Sequence, residues 1–297
     1  MARGPRARTA PDGLVVVDKP AGMTSHDVVS RLRRIAGTRK VGHAGTLDPM
    51  ATGVLLIGVE RATRLLGRLA LTDKDYVATL RLGVRTVTDD AEGDELERVP
   101  AAHLTDAQIA VGVEALTGEI EQRPTAVSAI KVDGVRSYTR VRAGEEVELP
   151  ARPVTVSRFL VDAIHRHGET VDVEVRLTVT SGTYVRALAR DLGEGLGVGG
   201  HLTALRRTRV GPFGLDVART LEELEESFSL LPLAEVVASS YPRVDVDEAT
   251  AVQILHGGRI PAGPHESGAV GIFGPDGTVL SLAEVNAGLL AAVVVFS

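Results

Sequence analysis

One carboxylate and one imidazole stand in a constrained run of the chain, Gly42-His43-Ala44-Gly45-Thr46-Leu47-Asp48-Pro49-Met50-Ala51-Thr52-Gly53-Val54. Pro49 pushes Asp48 out of the helical region, while Gly45 and Gly53 permit sharp turns or close backbone approach. The Asp48 carboxylate is therefore expected to have a fixed direction, which suits a nucleophile or a general base. An isolated Asp-Pro is ordinary turn chemistry. This run is longer than a turn and leads directly into the apolar stretch Val54 to Ile57, so a rigid loop feeding a buried strand is predicted. The chain has no cysteine. That excludes disulfides, thiolate nucleophiles and cysteine zinc sites, and leaves Asp48 without a thiol competitor. It also has no P-loop, no Rossmann glycine pattern and no His-Glu-x-x-His, so neither cofactor nor metal is expected.

The elements around this loop are predicted from periodicity. Val15 to Val17 is a β-rich run. Ser25 is expected to cap a helix in which Val28, Val29, Leu32 and Ile35 recur at helical spacing until Gly37. Glu60 to Leu69 reads as helical, and Lys74 to Leu82 as a strand with Tyr76, Ala78, Leu80 and Leu82 on one face. Asp89 to Glu95 reads as an exposed polar turn. A helix capped by Thr105 is expected over 105–117, and an irregular insertion with strand pieces over 120–155. Asp172 to Thr180 alternates as a strand. The next helix, capped by Ser181 or Thr183, buries Val185, Leu188, Ala189 and Leu192 and places Arg186 in its first turn.

A length of 297 residues with 44% hydrophobic and 24% charged residues is globular and allows one large or two ordinary domains. No apolar segment follows the basic start, and the longest apolar run, near Leu289 to Phe296, is too short to span a bilayer. A soluble cytoplasmic protein is expected. The net charge of −6 hides strong patterning: 15 Lys/Arg against 7 Asp/Glu over residues 1–85, 6 against 14 over 86–150, 10 against 7 over 151–220, and 2 against 11 over 221–297. The two positive blocks hold the chemically suggestive residues, the sign pattern of a surface that approaches phosphates.

The Asp48 run closely resembles the signature loop of the TruB family of tRNA pseudouridine synthases. Four further segments match that family in order: Lys19-Pro20-Ala21-Gly22-Met23-Thr24-Ser25, Lys74-Asp75-Tyr76, Ser128-Ala129-Ile130-Lys131 and Ser181-Gly182-Thr183-Tyr184-Val185-Arg186. The resemblance implies an α+β fold: a mixed, mainly antiparallel sheet with flanking helices and a central cleft, plus a small C-terminal PUA-like β-domain. The implied divisions are a basic tail over 1–11, a catalytic domain over 12–238 and the PUA-like domain over 242–297. The acidity of that last stretch departs from what an RNA-gripping domain would want.

The resemblance further implies isomerisation of uridine 55 in the T arm of tRNA by a stand-alone monomer that needs no protein partner and no cofactor. The N1–C1′ bond breaks, the uracil turns, and C5 joins C1′. Asp48 would act as nucleophile at the sugar or base, or as base towards the sugar 2′ proton. Arg186 is the expected partner that keeps it ionised and oriented. Tyr76, one of only four tyrosines in a chain without tryptophan, would stack on the extruded base. Tyr184 would join it in substrate binding, His43 would brace the space the base vacates, and Leu205 would wall the uracil. Lys19 is expected to brace the active-site loop, and Lys131 to meet phosphate or shape the pocket. Val127 stands where the family commonly has a tyrosine, so that contact is not carried over. The alternative from another class is an RNA-binding folding helper that opens and recloses tRNA.

Overall fold

The computed structural model describes residues 11–125, 131–132, 135–136 and 149–296. The chain divides into two compact units, one comprising Met1–Asp48, Val54–Ala70 and Gly211–Ser297, the other Pro49–Gly53 and Leu71–Val210.

The first unit opens with strand β1 (Gly13–Lys19) and helix α1 (Ser25–Ile35). The hairpin of β2 (Val41–Ala44) and β3 (Thr52–Val59) follows, with His43 opposite Ile57. From Gly53 onward β3 is buried on both faces, as a continuous apolar run requires. A 3-10 turn (Glu60–Leu65) and a single α-turn, α2 (Leu66–Leu69), complete the helical stretch expected over 60–69.

In the second unit, β4 (Lys74–Leu82) alternates as predicted, with Lys74, Tyr76, Ala78, Leu80 and Leu82 buried. The short hairpin of β5 (Val84–Thr86) and β6 (Glu95–Arg98) precedes helix α3 (Asp106–Ala115), which Thr105 caps together with Gln108. Then come β7 (Gly118–Gln122), the two-residue strands β8 (Lys131–Val132) and β9 (Val135–Arg136), β10 (Arg152–His167) and β11 (Thr170–Val179). Helix α4 (Val185–Gly195) leads to β12 (Gly200–Val210). The order β12-β4-β11-β10-β7 is antiparallel throughout, and Thr52 and Gly53 pair in parallel with Arg206 and Arg207 of β12. Gly53 is required there: its φ is +97°, and a Cβ would lie 2.1 Å from the Arg207 carbonyl oxygen. β10, sixteen residues long, and β12 are elements the sequence did not announce.

The first unit resumes with β13 (Phe213–Gly214), α5 (Leu221–Glu226), β14 (Leu231–Pro232) and α6 (Leu233–Ser240), with β1 between β14 and β3. Its C-terminal part is a five-stranded sheet in the order β15 (Arg243–Asp245), β17 (Ala269–Phe273), β18 (Val279–Asn286), β19 (Leu289–Val295), β16 (Ile260–Pro261). Helix α7 (Glu248–Leu255) packs Ile254 against Val270, Ile272 and Leu290 beneath it. Arg61 and Arg64 donate to the carbonyls of Phe296 and Val295, and Arg68 pairs with Glu284. The 3-10 turn and α2 thus hold this sheet by its last strands. Among the described residues no helix is long and apolar enough to cross a membrane.

Candidate active site

The Asp48 loop is supported from the end of β1. Lys19 is fully buried, and its ammonium donates to the carbonyls of Pro20 (2.9 Å) and Met23 (2.7 Å). Those bonds close the turn that delivers Thr24, which caps α1: its hydroxyl accepts from Asp27 N at 3.1 Å, and the Asp27 carboxylate accepts from Thr24 N at 2.9 Å. The Thr24 bonds hold the Asp27 carboxyl below its ordinary range. Thr24 therefore takes the role that the sequence assigned to Ser25. Released from capping, the buried Ser25 hydroxyl accepts from Leu47 N (2.9 Å) and donates to Leu47 O (3.1 Å). Asp48 follows at once, half-buried, as is His43 in β2.

In the second unit, Tyr76 is buried in β4 between Leu177 of β11 and Arg207 of β12. One rung along, Ala78 faces Leu205, so Tyr76 and Leu205 are diagonal neighbours on the buried face. Leu205 also lines a pocket of about 260 Å³ together with Met50, Thr52, Thr79, Thr203 and Arg206. Lys74, at the start of the same strand, donates to Thr72 O at 2.7 Å. Burial, with Arg207 adding like-charge repulsion, pushes its ammonium down to about 8.

Helix α4 begins at Val185, with Tyr184 as its N-cap and no side-chain cap, rather than the expected Ser181 or Thr183. Gly182, at φ +93°, carries the chain through the turn that delays the helix. The fully buried Gln122 amide does the holding, accepting from Tyr184 N (2.8 Å) and donating to Tyr184 O (3.1 Å). The Arg152 guanidinium sits over the Tyr184 ring at 5.2 Å and donates to Gly182 O at 2.6 Å.

Arg186 is buried in the first turn of α4, where its Nη1 meets Asp90 Oδ2 at 3.2 Å and donates to Thr88 O at 3.0 Å. One turn on, Arg190 pairs with Asp89 at 3.1 Å and with Asp191 at 2.7 Å. Burial pushes the Asp89 carboxyl above its ordinary range, against the pull of Arg190. The acidic turn predicted to be exposed is thus gripped by two arginines at i, i+4 spacing, and Asp90 is 2% exposed. Gln122, Asp89 and Asp90 are the supporting residues that sequence reasoning missed. Two aspartates among glycines and threonines gave no sign of partners nearly one hundred positions away.

Lys131 opens β8, paired with Arg136; its side chain, like Val127 and Tyr138, lies outside the described residues. Much of the basic character of residues 1–85 is consumed internally. Arg31 pairs with Glu222 and Glu225, Arg61 with Asp12, Arg68 with Glu284, Arg81 with Asp172 and Arg85 with Glu97. Arg33 donates to Val41 O at 3.2 Å. Arg34, Arg39 and Lys40 remain exposed, and among the described residues none of the three forms a side-chain ion pair.

The architecture recurs in solved structures. One is a Cbf5-Nop10-Gar1 complex, with TM-score 0.72 and 29% identity, covering 96% of this chain and 85% of that one. Another is an H/ACA RNP bound to a substrate RNA containing 2′-deoxyuridine, with TM-score 0.71, 26% identity and the same coverage. Residues 33–185 match the TruB family pseudouridylate synthase N-terminal domain, 186–235 the tRNA pseudouridylate synthase B C-terminal domain, and 241–297 the tRNA pseudouridine synthase II C-terminal domain. The tRNA pseudouridine synthase B of Streptomyces griseus is 59% identical over 294 residues, covering 97% of this chain and 98% of the relative. That of Thermobifida fusca is 60% identical over 290 residues, covering 96% and 99%. The chain belongs to the TruB family of pseudouridylate synthases.

Proposed function

We propose that this chain is a stand-alone isomerase that converts uridine to pseudouridine in tRNA, at position 55 of the T arm, with Asp48 as its catalytic carboxylate. The observation that carries the reading is the hold on the Asp48 loop: a carboxylate between a doubly hydrogen-bonded Leu47 and Pro49 is already oriented before substrate arrives. The reaction is an exchange at one sugar carbon. The N1–C1′ bond breaks, C5 bonds to C1′, and the proton on C5 leaves to solvent while N1 gains one. Nothing is oxidised or reduced, so the chemistry asks for no redox cofactor.

Asp48 attacks the sugar or base, or removes the sugar 2′ proton. Tyr76 stacks on the extruded base, Leu205 walls it, and Tyr184 and Arg186 complete the substrate side. His43 braces the RNA, with Lys19 and Lys131 in support. Identity near 60% with relatives named for tRNA supports the substrate class.

The test is release of label from a T-arm stem-loop tritiated at uridine C5, with purified protein alone and a chelator present. One label per isomerised uridine is expected. Asp48→Asn should abolish release while RNA affinity changes by less than about tenfold, or 1.4 kcal/mol. Residual turnover above about one percent refutes the role of Asp48. Accelerated tRNA refolding without any release of label would favour the folding-helper reading.

A further inference from the structure

Leu47 is the residue before the proposed catalytic carboxylate, and among the described residues no backbone group bonds to it. Both its N–H and its C=O are instead taken by one side chain twenty-two positions earlier, the hydroxyl of Ser25. The two bonds act on different peptide planes: the N–H belongs to the 46–47 peptide, the C=O to the 47–48 peptide that also carries the Asp48 nitrogen. The second bond therefore restrains rotation on the N-terminal side of Asp48. On the C-terminal side, Pro49 confines Asp48 to extended geometry.

Ser25 is itself anchored, because it is the first residue of α1 and the buried Lys19 ammonium holds the turn before it through the carbonyls of Pro20 and Met23. A serine at this place does not need to be buried to begin a helix, yet Ser25 is only 2% exposed and Leu47 3%. A hydroxyl that donates and accepts at once suits a strand-like backbone pair whose neighbouring strand is missing.

We infer that Ser25 is a positioning residue for Asp48: its hydroxyl, bonded to both backbone groups of Leu47, sets the direction in which the carboxylate points. The inference rests on the reading of Asp48 as the catalytic group. It adds that the Ser25 hydroxyl contributes to the chemical step and not to RNA affinity. Ser25→Ala leaves both Leu47 groups without this partner and frees the 47–48 peptide to rotate. A displacement of a reacting group by about 1 Å costs on the order of a hundredfold in rate.

The experiment compares single-turnover label release, RNA dissociation constants and thermal unfolding for the full chain, Ser25→Ala, Asp48→Asn and Thr24→Ala. Thr24→Ala removes the cap of the same helix but leaves the Ser25 hydroxyl in place. The expected result is a fall of about tenfold to a hundredfold in the rate for Ser25→Ala, with the dissociation constant within about threefold. Thr24→Ala should lower the melting temperature while keeping the rate per folded molecule. If Ser25→Ala reacts within threefold of the unaltered chain, or if Thr24→Ala loses as much rate, Ser25 merely supports the helix and the inference falls. Should Ser25→Ala not fold, Ser25→Cys, of similar volume but with a weak donor and acceptor, takes its place with the same thresholds. An unaltered chain that releases no label overturns the proposed function instead, and an active Asp48→Asn overturns the role of Asp48, so each failure is distinguishable.

Discussion

Lys74 offers a prediction whose size and sign both come from its surroundings. Its ammonium is buried at the start of β4, and burial with the neighbouring Arg207 places its pKa at about 8 against an ordinary 10.5. At about 1.36 kcal/mol per pKa unit, the charged form is disfavoured in the native state by about 3 kcal/mol. Below pH 8 the side chain is protonated in both states, so the native state carries the whole of that cost. Between pH 8 and 10.5 the native state has released its proton while the unfolded chain still holds one. Unfolding then takes up protons, and stability rises with pH through this window. Lys74→Met keeps an unbranched chain without the charge. It also forgoes the bond to Thr72 O, worth about 1 kcal/mol, so a net gain of about 2 kcal/mol is expected at pH 7. Urea unfolding of both proteins at pH 7 and pH 10 is the assay, because the difference between them cancels every other titration. The advantage of the variant should shrink steeply between the two pH values. A difference that stays flat, or a variant less stable at pH 7, refutes the reasoning.

Four further perturbations have defined outcomes. Asp90→Ala removes a carboxylate from a pair whose side chains are only 7% and 3% exposed, and should cost about 3 kcal/mol in urea unfolding; a loss below about 1 kcal/mol would show that the pair is not held as described. Gly53→Ala drives a Cβ towards the Arg207 carbonyl at a φ of +97° and should lower the unfolding free energy by more than about 2 kcal/mol, against which an unchanged melting temperature would count. Replacing Arg34, Arg39 and Lys40 together by Ala should reduce the slope of log affinity against log salt by about 2 to 3, with the rate at saturating RNA kept. Tyr76→Ala should do the reverse, losing orders of magnitude in single-turnover rate at an unchanged slope; poor binding with normal reaction would make Tyr76 part of a docking surface.

Local pattern made much of this molecule legible. The alternation of β4 and β11, the stripe of α1, the Thr105 cap and the apolar run of β3 each follow from a few neighbouring residues. The failures share a cause, which is a partner far away in the chain. Asp90 reads as exposed until Arg186 arrives 96 positions later, and Arg31 counts towards the basic block of residues 1–85 until Glu225 takes it at a separation of 194. Ser25 passes for a helix cap because its true partner, Leu47, offers only backbone. β10 escaped because its outer half is exposed and charged, with His165 and Arg166 and no apolar rhythm for a periodicity argument to find. Charge counted by block therefore includes many side chains already paired within the fold; among the described residues of 11–85, Arg34, Arg39 and Lys40 are exposed at the end of α1 and just before β2.

The proposed site residues are held by two different kinds of force, and this has a consequence for how RNA binding and catalysis respond to solution conditions. The backbone just before Asp48 is tied by the neutral hydrogen bonds between Ser25 and Leu47, with the buried Lys19 ammonium behind them. The start of α4 depends on the Gln122 amide and on the ion pairs of Arg186 and Arg190, which lie mostly out of solvent. Salt screens exposed charges strongly and buried ones much less. Raising ionic strength should therefore release RNA from Arg34, Arg39 and Lys40 long before it disturbs either support. An enzyme built this way loses substrate at high salt but not its geometry, so saturating RNA at the same salt should restore the chemical step.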